Sequence, residues 1–301
     1  MKIIDPHIHL FNLSQGDYSW LKSKNPPFWP DKNLINRSFT ENDLELFPPL
    51  ELIGYVHIEA GFDNQKPWRE LACLEKASKK PFRAIANIDL TSPSQKFEQD
   101  LVMLAKHRTF VGVRHLLDDQ AQNLLSNKQV WKNLKKYSTF KKNTLHTNTH
   151  RRLIFETQLP LTKNVIVEVL CDVIAENTEL NFILNHAGFP PANIHTLEWQ
   201  QWRKHLQQLA MFSNVAIKCS GWEMIDRQYQ PDWVNKNLME IFDIFGANKV
   251  MLASNFPLCL FSQHSYQNYW RQIIDSEFLR TLTEQERNAL CYDNAFNYYG
   301  F

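Results

Sequence analysis

The chain has 301 residues, of which 44% are hydrophobic and 13% aromatic, and its 33 basic residues balance its 32 acidic ones. This length suits a single α/β barrel, which typically needs about 250 residues. The balanced charge argues against nucleic acid or an anionic membrane as partner, and five scattered cysteines without a signal peptide or an apolar membrane span predict a cytoplasmic protein.

The first predicted strand begins at residue 2, is apolar and β-branched, and ends in His7 and His9. Residues two apart on a strand point to the same face, so the two imidazoles should project together. An unpartnered polar group is costly in a core strand. We therefore interpret the pair as metal ligands or as groups that polarise a substrate oxygen, rather than as histidines of a solvated face.

Seven further strand-like runs follow, mostly short and continuously apolar, as in parallel strands buried on both faces. A Pro- and Trp-rich loop spans residues 11–30, and the basic stretch 135–152 predicts a loop or a frayed helix. Eight βα units without an internal linker predict one domain, residues 1–301, folded as a single (β/α)8 barrel; the alternative is an open doubly wound sheet. The later strands are predicted at 52–57, 82–88, 110–114, 153–158, 181–186, 214–219 and 249–254, and helices at 70–78, 94–107, 161–177, 197–212 and 233–245.

Polar residues end nearly every predicted strand, and active sites of such barrels form at the C-terminal ends of the strands. Any one of these residues could be a structural group or a helix cap, as we expect for Asp89 or Ser92. Their coincidence across eight strands favours a shared site. They are His7, His9, His57, Glu59, Asp89, Arg114, His115, Glu156, Gln158, Asn185, His186, Lys218, Ser220, Ser254 and Asn255.

Five motifs occur in a fixed order: Asp-x-His-x-His at 5–9, Gly-Val-Arg at 112–114, Asn-His-Ala-Gly-Phe-Pro at 185–190, Lys-Cys-Ser-Gly at 218–221 and Ser-Asn-Phe-Pro at 254–257. With this set the chain resembles the amidohydrolase superfamily, specifically its branch of metal-dependent barrel hydrolases that includes sugar-lactone and muconolactone-type lactonases. The resemblance covers essentially the whole chain.

The resemblance implies that His7, His9 and His186 hold one divalent metal ion, zinc in the first instance, although lactonases of this branch differ in whether they need a metal. It implies that Arg114 holds anionic or carbonyl groups of the substrate. Asn255 departs from the pattern, because most members carry there an Asp that acts as general base and, when a metal is present, as its ligand. An amide cannot take a proton near neutral pH. A subset resembling this chain shares the Ser-Asn-Phe-Pro motif, which makes Asn255 a feature of a branch.

Lactone opening needs an activated water, an electrophile near the carbonyl oxygen and groups that hold the ring. Glu59 is the predicted base, with Glu156 and His57 as alternatives, and either glutamate could instead pair with Arg114. The predicted catalytic residues are His7, His9, His186, Asn255 and Glu59.

Substrate contacts are predicted from the other strand ends. Lys218 could hold a substrate carboxylate or join strands seven and eight, and Trp222 could line the pocket or lie in an ordinary interface. The predicted substrate-binding residues are His57, Arg114, Gln158, Lys218 and Trp222.

The predicted function is hydrolysis of a lactone or related cyclic ester of a small carboxylated or sugar-derived molecule. Two alternatives stay open: a catalytically silent binding barrel, suggested by Asn255, and a metal-dependent decarboxylase of a small carboxylic acid, a reaction of relatives with the same barrel. The expected partner is a small molecule. The tryptophans at positions 20, 29, 199 and 202 are expected at the surface, where they would allow a homodimer.

Overall fold

A computed structural model gives the structure of the chain and describes residues 1–140 and 152–301. Its eight strands are all parallel and follow one another in chain order within one sheet. They are β1 (Lys2–Ile8), β2 (Glu51–Ile58), β3 (Phe82–Asn87), β4 (Phe110–Arg114), β5 (Leu153–Thr157), β6 (Leu180–Leu184), β7 (Val215–Cys219) and β8 (Val250–Leu252).

The first and last strands approach each other, so the sheet is a nearly closed barrel. Ile8 forms a parallel bridge with Phe256, and the backbone N–H of Asn255 donates to the carbonyl of His7 at 3.0 Å. The Asp5 carboxylate lies between the two strands, because its Oδ1 accepts from the backbone N–H of Ser254 at 3.1 Å. The predicted (β/α)8 barrel is confirmed, and the open sheet is excluded.

Helices connect the strands, and all five predicted helices are present within a few residues of their expected bounds. In chain order the helices are α1 (Trp68–Ala77), α2 (Ser94–Ala105), α3 (Ala121–Leu125), α4 (Lys128–Ser138), α5 (Asn164–Glu176), α6 (Leu197–Ala210), α7 (Trp222–Ile225), α8 (Pro231–Phe245), α9 (Tyr266–Ile274), α10 (Glu277–Thr281), α11 (Glu284–Asn288) and α12 (Asn294–Tyr299). The stretch 135–152, predicted as a loop or frayed helix, begins within α4, and its residues 141–151 lie outside the described residues. No helix in the described ranges is long and apolar enough to cross a membrane.

Local capping explains where several helices begin. The Thr196 hydroxyl accepts from the backbone N–H of Trp199 at the start of α6, and α8 begins with Pro231, whose missing N–H costs nothing at a first helical position. Trp199 and Trp202 lie on the buried face of α6. These two residues were expected at the surface, and they therefore offer no support for a homodimer.

Two apolar layers enclose the site from below and from the sides. Inside the barrel, residues from most strands pack with Ala295 and Tyr299 of α12, which closes the end opposite the candidate site; the strand residues are Ile4, Val56, Ile58, Ile85, Ile154, Ile183, Ala216 and Met251. A second, larger cluster fills the space between strands and helices. Because side chains alternate along a strand, Glu156 and Lys218 follow Ile154 and Ala216 on the inner face.

The long segment between β1 and β2 extends over the C-terminal ends of β7 and β8. Trp29 packs edge-on against Phe261 with ring centroids 5.6 Å apart, and Asp31 pairs with Arg227 at 2.7 Å. This segment therefore covers one side of the barrel mouth.

Candidate active site

Three imidazoles meet at the C-terminal end of the barrel. The ring centroid of His7 lies 5.1 Å from that of His9 and 4.6 Å from that of His186. His7 is fully buried, and the other two are nearly so. The structure thus brings together the three histidines that the sequence placed at the ends of the first and sixth strands.

An unusual backbone places His186 in this cluster. Its φ is 52°, in the left-handed region that non-glycine residues rarely adopt. The ring packs directly on Gly221, where a Cβ atom would lie 2.5 Å from His186 Nδ1. The same nitrogen lies 3.1 Å from the hydroxyl of Ser220. The motifs at 185–190 and 218–221 therefore meet, and residue 221 must be glycine for the ring to fit.

Hydrogen bonds fix the tautomer of His9 and leave His7 free. His9 Nδ1 lies 2.9 Å from the carbonyl of Ile58, which can only accept, so Nδ1 carries the proton and Nε2 keeps its lone pair. Both ring nitrogens of His7 are buried without a hydrogen-bond partner in the described part of the chain. Burial, followed by the positive charges of Lys218 or Arg114, lowers the pKa of all three histidines well below its usual value. The cluster is therefore neutral at pH 7.

Arg114 faces the same end of the barrel but is largely engaged by Glu59. Its Nε and Nη2 donate to Glu59 Oε1 at 3.0 and 2.7 Å, and its Nη1 donates to Gln158 Oε1 at 3.2 Å. Glu59, predicted as the base, thus takes the pairing with Arg114 that the sequence left as an alternative. Of the predicted contacts, Arg114 and Gln158 are brought together here, and Nη1 keeps a second hydrogen with no acceptor among the described residues.

Lys218 lies on the inner face of β7 in a buried ion pair. Its Nζ is 2.6 Å from Glu156 Oε1, which also accepts from the hydroxyl of Tyr299 at 2.8 Å. All three side chains are almost fully buried, and desolvation lowers the pKa of Lys218 to about 8. Glu156, an alternative base in the sequence analysis, is therefore the counter-ion of Lys218, which remains mostly charged at pH 7.

Asn255 is held by a carboxyl group that the sequence analysis did not identify. Its Nδ2 donates to Glu223 Oε1 at 2.6 Å, while Oδ1 is buried without a partner in residues 1–140 and 152–301. Glu223 is fully buried, and desolvation raises its pKa to about 7. The signal for Glu223 was present in the sequence, since it is an acidic residue two positions after the Lys-Cys-Ser-Gly motif that ends the seventh strand.

Two predicted substrate contacts, His57 and Trp222, pack against other elements of the barrel. His57 is on the outer face of β2, where Nε2 donates to Glu70 of α1 at 3.1 Å and Nδ1 accepts from the backbone N–H of Leu10 at 3.3 Å. Trp222 is fully buried and packs edge-on against Trp233 of α8 with ring centroids 5.6 Å apart. His57 has no ring nitrogen left for a substrate, whereas Nε1 of Trp222 is buried without a hydrogen-bond partner among the described residues, so its predicted substrate contact stays a prediction.

The three histidines would be the ligands of the metal that the resemblance implies. Imidazole nitrogens suit zinc, and the Nδ1 contacts of His9 and His186 resemble those that orient metal-bound histidines. Among the residues described, however, no three or more His, Cys, Asp or Glu side chains are arranged so that they could hold a metal ion. Asn255 also provides an amide instead of a carboxylate, and two buried cations lie near the rings. The described residues thus form no complete metal site, and the metal implied by the resemblance stays a prediction.

Comparison with known protein families and sequences agrees with the motifs. A family model described as amidohydrolase matches residues 4–301. The uncharacterized protein y4mH of Sinorhizobium fredii is 28% identical, over 99% of this chain and 98% of its own length. An L-fucono-1,5-lactonase of Burkholderia multivorans is 24% identical, over 95% of this chain and 92% of its own length.

Several solved structures share the fold along the full chain. An amidohydrolase of Burkholderia multivorans, crystallised with HEPES and with zinc, superposes with TM-scores of 0.78 and 0.77 at 19% and 20% identity, with complete coverage of both chains. A probable 2-pyrone-4,6-dicarboxylic acid hydrolase of Acinetobacter baumannii gives 0.65 at 15% identity with complete coverage. A 2,6-dihydroxybenzoate decarboxylase from Rhizobium gives 0.60 at 13% identity, over 99% of this chain and 98% of its own. At these identities the likeness establishes the fold and leaves the reaction open.

Proposed function

The chain belongs to the amidohydrolase family, and we propose that it hydrolyses a lactone or related cyclic ester of a small carboxylated or sugar-derived molecule. One observation carries this proposal: the neutral imidazole of His7 and the amide oxygen of Asn255 are both buried without hydrogen-bond partners in the described protein. Buried polar groups are normally satisfied, so unsatisfied acceptors at a barrel mouth support a site for a polar ligand.

The proposed reaction uses the protein's own groups. A water molecule is held by Asn255 Oδ1 and gives a proton to the neutral imidazole of His7 as its oxygen bonds to the lactone carbonyl carbon. Positive charge from Arg114 and Lys218 stabilises the negative charge that develops on the carbonyl oxygen. The ring C–O bond then breaks, and the imidazolium returns the proton to the leaving oxygen, which yields the hydroxy acid.

The comparisons and the charge of the site bear on the choice of substrate. One relative is named as a lactonase, and one structural neighbour is named as a probable pyrone hydrolase. Both names denote enzymes that act on cyclic esters. Metal-dependent decarboxylation stays the second candidate, because one structural neighbour is named as a 2,6-dihydroxybenzoate decarboxylase. A carboxylated substrate is also compatible with the two cations, because each keeps donors beyond those used by its glutamate.

The test is a screen of the purified protein against sugar lactones, muconolactone and a pyrone dicarboxylate with a pH indicator. We expect acid release from at least one cyclic ester, at a rate that a zinc chelator leaves unchanged. Release of carbon dioxide from hydroxybenzoates would favour the decarboxylase, and no turnover of any compound would favour the silent barrel. Loss of turnover with the chelator and recovery with zinc would contradict the metal-free reaction.

Arg114→Lys tests the proposed substrate contact. Lysine keeps the positive charge beside the buried Glu59, which alanine would remove. Lysine cannot, however, supply the forked donors of a guanidinium. We expect KM to rise by about tenfold to a hundredfold, with a smaller change in kcat. The control is Arg203→Lys, which changes a partly exposed pair with Glu240 and should leave KM unchanged. An unchanged KM in Arg114→Lys would assign Arg114 a structural role.

A further inference from the structure

The contact between Glu223 and Asn255 fixes the orientation of the Asn255 amide. In its ionised form the Glu223 carboxyl group can only accept hydrogen bonds, so the 2.6 Å contact with its Oε1 then requires Nδ2 of Asn255 to face Glu223. Oδ1 then lies on the opposite side of the amide, where it is buried and without a partner in the described residues. The contact thus determines which end of the amide a ligand would meet.

The backbone holds both residues firmly in this position. Glu223 lies in the short helix α7, which starts directly after Gly221 at a φ of 71°. Asn255 has a φ of 59°, and its N–H is bonded to the carbonyl of His7 at 3.0 Å. Arg227 donates to the backbone carbonyl of Glu223. A left-handed asparagine next to His7 is a strained arrangement of the kind that concentrates at functional sites.

We propose that Glu223 and Asn255 act as one unit that replaces a single carboxylate at the end of β8. Glu223 is a positioning residue: it holds Nδ2 of Asn255, so that Oδ1 is presented to the hydrolytic water. The catalytic role of this unit rests on the proposed hydrolysis, whereas its geometry does not. When Glu223 is ionised, its negative charge lies one layer behind the site, and the group that meets the water is an uncharged acceptor that does not repel an anionic substrate.

Exchanging the two side chains tests whether they form a unit. In Glu223→Gln two amides face each other, so the orientation of Asn255 is no longer fixed, and we expect kcat to fall by about tenfold or more with KM nearly unchanged. In Asn255→Asp two carboxyl groups share the contact, one must stay protonated, and kcat should fall with a changed pH profile. The double variant Glu223→Gln/Asn255→Asp restores one donor and one carboxylate with their order reversed, and its kcat should return to within about tenfold of the parent.

The matched control is Glu198→Gln on the exposed side of α6, which should leave kcat unchanged. A residue that only supports the fold would change the melting temperature and would not produce recovery of kcat in the double variant. The proposal would be overturned by a parental kcat in Glu223→Gln. It would also be overturned if the factor by which kcat falls in the double variant equals the product of the factors in the two single variants.

A spectroscopic measurement tests the unit without any substrate. In protein labelled with ¹⁵N-asparagine, the side-chain amide of Asn255 is identified by its loss in Asn255→Asp. One of its hydrogens should resonate downfield in the parent, because it is bonded to a carboxylate, and should lose this shift in Glu223→Gln. An unaffected resonance would overturn the pairing. If the parent protein turns over no lactone but shows the downfield resonance, the proposed function is contradicted and the pair serves another ligand. If the parent turns over a lactone but the double variant does not recover kcat, only the pairing of Glu223 with Asn255 as one unit is contradicted.

Discussion

Replacing His7 with leucine should greatly slow turnover and leave the protein as stable as the parent or more so. The side chain is fully buried, and neither ring nitrogen has a partner in the described parts of the protein. An unsatisfied buried polar group costs about 1–3 kcal/mol. Leucine removes this cost and fills most of the space, while the loss of a general base lowers kcat by about a hundredfold to ten-thousandfold.

The measurement is kcat on the lactone found in the screen, together with the free energy of unfolding in denaturant. His195→Leu serves as control, because His195 is exposed and lies outside the cluster; it should leave kcat unchanged. A His7→Leu variant that keeps its activity would remove His7 from the mechanism. A large loss of stability would show that His7 is a structural residue.

Replacing Glu156 with leucine should destabilise the protein more than any other single change considered for this site. Lys218 would lose its counter-ion inside the barrel and would have to stay charged without a partner or give up its proton, and removal of one partner of a buried ion pair typically costs about 3–5 kcal/mol. The double variant Glu156→Leu/Lys218→Met removes both charges and should recover most of this loss. Chemical denaturation of the three proteins measures the effect.

Glu98→Leu is the matched control, since Glu98 pairs with Lys136 on the surface, where its side chain is about half exposed. Surface pairs contribute about 0–1 kcal/mol, so this variant should unfold much like the parent. A Glu156→Leu variant of parental stability would mean that Lys218 loses its charge readily or finds another acceptor. A double variant as unstable as the single one would point to packing rather than charge.

Much of the fold was predictable because its signals are local. Short apolar runs, helical periodicity and the order of the motifs identified eight strands and five helices, and the polar strand ends located the site at one end of the barrel. The helices after β8 were not predicted, and β8 itself has only three residues, Val250–Leu252. Its pairing with β7 is set by the barrel rather than by its own sequence.

The sequence by itself determined the barrel and the residues His7, His9, His186, Arg114 and Asn255 at its mouth. It did not determine the direction of His57, because a strand that is apolar throughout carries no alternation from which its inner face could be identified.

Only the tertiary structure decided the partners of the charged groups. Glu59 binds Arg114 from 55 residues away in the chain, Glu156 binds Lys218 from 62 away, and Glu223 binds Asn255 from 32 away. Such contacts depend on how strands and loops from distant parts of the chain meet inside a water-poor interior, where each buried charge must find a partner. No local pattern specifies that meeting, and so the replacement of a strand-eight carboxylate by an asparagine backed by Glu223 became visible only in the folded chain.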